Sequence, residues 1–190
     1  MTNIYQYKDV ERIIREYPHP EDISRFFLLP LFVLSTDAQV VVELGVGNGH
    51  SAEAILLAVK ERKGKLFLVD YSTPTEHLAP TSNLPHARIL RENPDTVTYI
   101  LKSSTEVGKD WKLPIDWLHI DTDHKYDTTK NELELWYPHV KVGGLIVMHD
   151  SKLPDVRKAT NEFLLKIKDD VAYFNMEDNV HGLGFIRKLR

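Results

Sequence analysis

Residues 40–51, V-V-V-E-L-G-V-G-N-G-H-S, restrict the fold more than any other part of this chain. Val40, Val41, Val42 and Leu44 suit a buried strand, because β-branched and aliphatic side chains pack well in a sheet interior. Gly45, Gly47 and Gly49 follow at alternate positions. His50 and Ser51 then lead into an Ala/Leu-rich run, residues 52–59, that reads as a helix. Strand, glycine turn and helix in this order let backbone approach a ligand where side chains would block it. A dinucleotide fingerprint, G-x-G-x-x-G/A, counted from Gly45 would put its third small residue at His50, so that ligand is disfavoured. Taken alone, the turn also has a plainer reading, an ordinary tight βα connection.

At 190 residues, 42% of them hydrophobic, the chain suits one domain with a substantial core. Its net charge of -4 comes from interspersed acidic and basic residues, which argues against a nucleic-acid partner. There is no cysteine, so disulfides, thiolate metal sites and a cysteine nucleophile are excluded. The N-terminus is polar, and no apolar run approaches the roughly 20 residues of a membrane span. The expectation is a cytoplasmic protein with no membrane partner.

Residues 7–17 carry Val10, Ile13 and Ile14 at helical spacing, and a second helix is expected from Pro20 with Ile23, Phe26, Phe27 and Leu28. Residues 1–36 thus read as a helical segment that packs on the sheet ahead of a main domain over 37–190; the family resemblance carried by residues 43–49 and 116–151 implies the other role, a cover over the cofactor or substrate. Residues 65–70 (K-L-F-L-V-D) read as a second parallel strand. Asp70 ends it beside the crevice where sheet order reverses, and can accept ribose hydroxyls; the plainer alternative is a helix cap. Tyr71 is placed to lie against an adenine ring. Residues 72–94 read as irregular, broken by Pro74, Pro80, Pro85 and Pro94, with a short helix only over 87–92.

Residues 96–101 have strand character, and Ser103 and Ser104 end it. Residues 115–121 alternate as a strand and close in T-D-H-K-Y; a helix is expected over 128–137, a K-V-G-G turn over 141–144 and a buried strand over 145–150. Neighbouring parallel strands lie about 4.8 Å apart, so Asp121 and Asp150 are expected to point into one site. A helix over 155–167 and an antiparallel pair over 171–176 and 184–189 complete the chain. Trp111, Trp117 and Trp136 read as core. His50, His77, His86, His119, His139 and His181 read as surface or packing residues.

The E-x-G-x-G-x-G pattern from Glu43 resembles motif I of the class I S-adenosylmethionine (SAM) methyltransferases. Residues 116–151, D-W-L-H-I-D-T-D-H-K-Y-D through L-W-Y-P-H-V-K-V-G-G-L-I-V-M-H-D-S, resemble a group of small members with I-D-x-D-H-x-Y and H-D motifs. That group is akin to catechol-type and macrolide-sugar O-methyltransferases and to cephalosporin hydroxylase-like proteins. With G-L-G-F-I-R near the end, the resemblance spans about residues 38–188. It implies an α/β, Rossmann-like fold: a seven-stranded, mostly parallel sheet with an antiparallel last strand and helices on both faces. It implies SAM as cofactor, contacted by Glu43, Gly45, Gly47, Gly49, Asp70, Tyr71, Ser104 and Asp121, with Glu43 facing the methionine end.

The resemblance places Asp121, His149 and Asp150 on the metal-ligand positions of metal-dependent relatives, and His124 on the position of their general base. His149 departs from the usual carboxylate. Magnesium prefers oxygen ligands, whereas manganese, iron or zinc accept an imidazole, and a metal-free enzyme is the remaining alternative. His124 also has a plain reading, a turn residue bonded to Asp121 or Asp123. Asp123 and Tyr126 are expected to support the site. The function implied is SAM-dependent O-methylation of a small-molecule acceptor, a sugar or natural product, with catalysis by His124 and Asp121. The alternative is a SAM- or nucleotide-binding protein of this fold whose methyl transfer is lost or altered. A homo-oligomer is compatible with either.

Overall fold

Strand β1 (Val40–Leu44) sits inside the sheet with β2 (Lys65–Val69) on one side and β4 (Ile115–Ile120) on the other. The computed structural model describes residues 35–73, 75–79, 81–176 and 181–190, together with Arg15, Leu29 and Val33. The helices expected before residue 35, and with them the covering role of residues 1–36, lie outside the described residues. Leu29 and Val33 are themselves fully buried against the sheet.

The sheet has seven strands in the order β3-β2-β1-β4-β5-β7-β6, where β3 is Val97–Ile100, β5 Val140–His149, β6 Val171–Met176 and β7 Leu183–Lys188. Strands β1 to β5 pair in parallel, and β7 runs antiparallel to both β5 and β6. The expected fold class is therefore what the chain adopts. Helices α1 (His50–Glu61) and α2 (Pro85–Glu92) cover one face, packing Ile55, Val59 and Ile89 on Val41, Leu66, Trp117 and Val147. On the other face α3 (Ser104–Asp110), α4 (Tyr126–Trp136) and α5 (Pro154–Ile167) complete the layer, and Leu133, Trp136, Val156 and Phe163 pack on Val42, Leu118, Ile146 and Met148. Burial on both faces explains why the central strands are nearly continuous apolar runs.

Register decides where the functional residues emerge. Leu44 pairs with Val69 and Ile120, Val69 with Ile100, and Ile120 with Met148. The carboxyl ends of five parallel strands are thus level, and the loops carrying Gly45, Asp70, Ser103, Asp121 and Asp150 leave the sheet along one edge.

The structure corrects four local expectations. Pro85 begins α2 rather than breaking the chain, since its fixed φ and missing N–H suit the first helical turn. Residues 104–110, for which no element was expected beyond Ser103 and Ser104 ending the strand, form α3, with the Ser103 hydroxyl accepting from the Glu106 N–H at 3.2 Å. Helix α4 starts at Tyr126, two residues early. The K-V-G-G residues lie within β5, where the pairing with β4 shifts between Ile115 and Trp117 and Gly143 takes φ +83, so extra residues bulge out without ending the strand.

Leu118 is fully buried between β1 and β5 under α4, whereas Leu165 is 74% exposed on α5. Leu118→Ala is expected to cost about 2–5 kcal/mol, and Leu165→Ala less than about 0.5. Urea unfolding of the two variants checks the contrast.

Candidate functional site

The loop after β1 is held from two sides. Gly45 has φ +79, and a β-carbon there would lie 2.0 Å from the Asp121 carbonyl oxygen; Gly49 has φ +88, and a β-carbon there would lie 2.5 Å from the His86 nitrogen. Both positions therefore need glycine for lack of space as well as for conformation. Gly47, at φ +51, faces open space. Asp70 draws this loop towards β2: its Oδ2 accepts from the N–H of Val46 (2.8 Å) and Gly47 (3.1 Å). Its Oδ1 accepts from the Ser72 N–H and hydroxyl, both at 2.7 Å. Burial pushes the Asp70 carboxyl up, but these four donors outweigh it and hold it below the usual carboxylate range.

Beyond the loop lies a cavity of about 590 Å³, lined on one side by Gly45, Gly47, Asp70, Tyr71 and Ser72 and on the other by Ser103–Thr105, Asp121–Asp123, Asp127, Thr128 and Asn131. Its size is that of a small-molecule or cofactor site. The Ser104 hydroxyl donates to Glu132 Oε1 at 2.5 Å, while the Thr122 hydroxyl donates to Oε2 at 2.9 Å.

At one end of the cavity, Asp121 enters a second constellation. His124 Nε2 lies 3.3 Å from Asp121 Oδ1 and 2.8 Å from Asp150 Oδ2; His149 Nδ1 lies 3.2 Å and 2.6 Å from the same two oxygens. All four residues offer ligand atoms within 4.8 Å of one another. His181 closes the group, with Nδ1 3.0 Å from Asp150 Oδ1. Hydrogen bonds to Asp121 and then Asp150, against the opposing effect of burial, push the His124 imidazole up to about 9. Burial acts to raise Asp150, but the bonds from His124 and His149 hold it well below the carboxylate range. His124 and Asp150 both have positive φ, +60 and +55, the kind of backbone strain that packed surroundings must maintain.

Of the residues singled out in the sequence, the structure brings Gly45, Gly47, Asp70, Tyr71, Ser104 and Asp121 to the cavity wall, and Asp121, His124, His149 and Asp150 together beside it. Gly49 packs against α2 instead. Glu43 is fully buried and is not among the cavity-lining residues; its Oε1 meets His119 Nδ1 at 3.0 Å. Tyr126 turns away towards α5, its hydroxyl donating to Glu162 at 2.5 Å. Sequence reasoning missed Glu132 and His181. The helical stretch after T-D-H-K-Y carries the first on its buried side, and position in a loop before G-L-G-F-I-R gave no sign of the second.

A Rossmann-like sheet in this order, closed by a reversed β7, with a glycine loop and an acidic strand end on one cavity, defines a class I, SAM-dependent methyltransferase. A family model described as a methyltransferase domain matches residues 42–151, and the chain belongs to that family. In fold the chain is similar to the SAH-bound methyltransferase PaMTH1 of Podospora anserina, at 12% identity and TM-score 0.72 over 100% of this chain and 89% of that one. It is similar as well to an O-methyltransferase of Bacillus cereus in complex with SAH (16% identity, TM-score 0.71, 98% and 94% covered). A methyltransferase of Geobacter sulfurreducens matches at 18% identity and TM-score 0.69, over 97% and 89%. No helix among the described residues is long and apolar enough to cross a membrane.

Gly45→Ala is expected to destabilise the protein far more than Gly47→Ala. The second meets open space and carries only the left-handed strain of about 1–2 kcal/mol, whereas the first adds a collision with the Asp121 backbone. Chemical denaturation of both variants measures the difference.

Proposed function

We propose that this protein transfers the methyl group of SAM to a hydroxyl of a small molecule, such as a sugar or a hydroxylated natural product. One observation carries the reading: Asp121 belongs both to the cavity wall and to the His/Asp cluster, so a donor in the cavity lies beside groups able to hold a hydroxyl and its proton. Methyl transfer is an in-line displacement, in which orientation and removal of that proton are the main tasks. The O-methyltransferase among the similar folds is in keeping with an oxygen acceptor.

In this reading the adenosyl group lies between the Asp70–Ser72 side of the cavity and the Ser103–Thr105 side. Asp70 keeps Oδ2 on the glycine loop and receives the ribose at Oδ1, where the Ser72 hydroxyl is a rotatable donor that can give way. The donor set of Asp121, His124, His149 and Asp150 fits a divalent ion: its ligand atoms converge, and two imidazoles beside two carboxylates suit manganese, iron or zinc better than magnesium. Such an ion, when bound, lowers the pKa of a coordinated hydroxyl. His124 holds its proton up to about pH 9 between its two aspartates, so metal uptake is expected to release protons and to tighten as pH rises. The alternative, a cofactor-binding protein of this fold without methyl transfer, draws support from His149 at a position where a carboxylate is usual.

Calorimetry with S-adenosylhomocysteine (SAH) and with NAD tests the cofactor. Binding of the first, weakened about tenfold or more by Asp70→Ala and little by Ser72→Ala, is expected. NAD binding without SAH binding would overturn the reading. Methyl transfer to a panel of hydroxylated acceptors, with each metal supplied, is expected to rise with pH towards 9, as His124 gives up its proton, and to fall about a hundredfold in His124→Ala. Unchanged turnover would remove His124 from the mechanism, and no turnover of any acceptor by the unaltered protein would favour the alternative.

A further inference from the structure

We propose that Glu132 is a positioning residue for the cofactor: a sealed carboxylate that ties Ser104 to Thr122 and so fixes the distance between two loops that wall the cavity. The inference rests on the SAM reading given above.

The sheet order supplies the reason a tie is needed. Strands β2 and β1 separate β3 from β4, and three spacings of about 4.8 Å put the two strand ends about 14 Å apart. No ladder joins the loops that follow them. Glu132 does so from α4: it is fully buried, Oε1 accepts the Ser104 hydroxyl at 2.5 Å, and Oε2 accepts the Thr122 hydroxyl at 2.9 Å. One helical turn further on, the Trp136 indole N–H donates to the Ser104 carbonyl at 3.0 Å. Both ends of Ser104 are therefore anchored to α4. Ser104 and Thr122 line the cavity and Glu132 does not, so its effect on a ligand passes through them.

The choice of residue is costly for mere packing. A carboxylate taken out of water with two neutral hydroxyl partners is less stable than an apolar side chain of similar volume would be at that place. Burial pushes the Glu132 carboxyl up to about 7 against the lowering effect of the Ser104 and Thr122 hydrogen bonds, with the charge of Asp123 adding to the rise and that of His124 opposing it. Those two groups face it from the loop after β4, and from α3 the facing group is the uncharged Ser104 hydroxyl. Above pH 7 the ionised carboxylate accepts from both hydroxyls at once. Below it, the added proton makes one oxygen a donor, and one of the two hydroxyls must turn or lose its partner. The tie is complete on the alkaline side and loosens as pH falls.

The test is calorimetric binding of SAH to the full chain at pH 6, 7 and 8, for the unaltered protein and for Glu132→Gln, with thermal melts of both. The unaltered protein is expected to bind several-fold more weakly at pH 6 than at pH 8. Glu132→Gln is expected to bind about tenfold more weakly at pH 8 and with little pH dependence. Its melting temperature should be equal or higher, because the amide removes a buried charge. Thr122→Val, a second variant that keeps volume while deleting one hydroxyl, should weaken binding in the same direction and non-additively with Glu132→Gln. Glu132→Gln binding within about twofold of the unaltered protein, or a loss of affinity that only follows a fall in melting temperature, would overturn the inference alone. No SAH binding by the unaltered protein would overturn the cofactor reading and this inference with it.

Discussion

Where β1 ends, its backbone passes so close to that of β4 that Gly45 has no room for a side chain against the Asp121 carbonyl. This contact fixes more than a turn. The Asp121 N–H donates to the Leu44 carbonyl at 2.9 Å and the Gly45 N–H donates to the Val69 carbonyl at 2.9 Å, so three adjacent strands are stapled at the level where their loops depart. Asp70 reinforces the same junction by binding the next two backbone N–H groups of the glycine loop. The loop is thus set by covalent economy and hydrogen bonds before any ligand arrives, which is what preorganisation of a binding site requires.

The His/Asp cluster follows from the same alignment. Asp121 follows β4, His149 ends β5, and Ile120 pairs with Met148, so the two residues emerge side by side. Asp150 and His124 then take left-handed backbone, an arrangement that an ordinary side chain adopts only under constraint, and both turn their polar atoms inward to meet. Two carboxylates so close would repel strongly; the His124 imidazole between them, its proton held by both, supplies compensating charge. Protons thus hold the cluster together, and the divalent ion proposed above would have to displace them.

The sheet and much of the site were legible in the sequence because both rest on local signals. Continuous β-branched runs mark strands buried on two faces, and the polar residues that end them mark the functional edge. That logic put Asp70, Asp121 and Asp150 at the strand ends, and each follows directly on the last residue of its strand. Less legible were features set by contacts between distant segments. Ser103 capping α3 was visible in principle, as a serine three residues before Glu106, but the residues between it and Trp111 lack an apolar stripe. Glu132 reads in sequence as one more charged residue on a helix, since only the packing of α4 against α3 and β4 reveals that it is sealed. His181 joins Asp150 through the approach to β7, which no spacing in the chain announces.

Two buried acids mark the difference between what parity and what topology dictate. Glu43 precedes Gly45 by two residues, and strand alternation sends it to the same face as Val41, level with its register partner His119. The pair lies fully inside, His119 stacked on Trp117 at 5.8 Å, and Glu43 Oε2 and His119 Nε2 find no hydrogen-bond partner among the described residues. The Glu43 charge is felt at Tyr99: burial first, and then the charges of Asp70 and Glu43, raise its phenol against the lowering bond with the Thr73 hydroxyl at 2.6 Å. Glu132 has both oxygens satisfied and reaches two loops at once. A half-satisfied acid within a strand is held by its neighbours in the ladder, whereas a fully satisfied one on a helix holds its neighbours in place; only the second arrangement transmits a change of its own hydrogen bonding to the cavity wall.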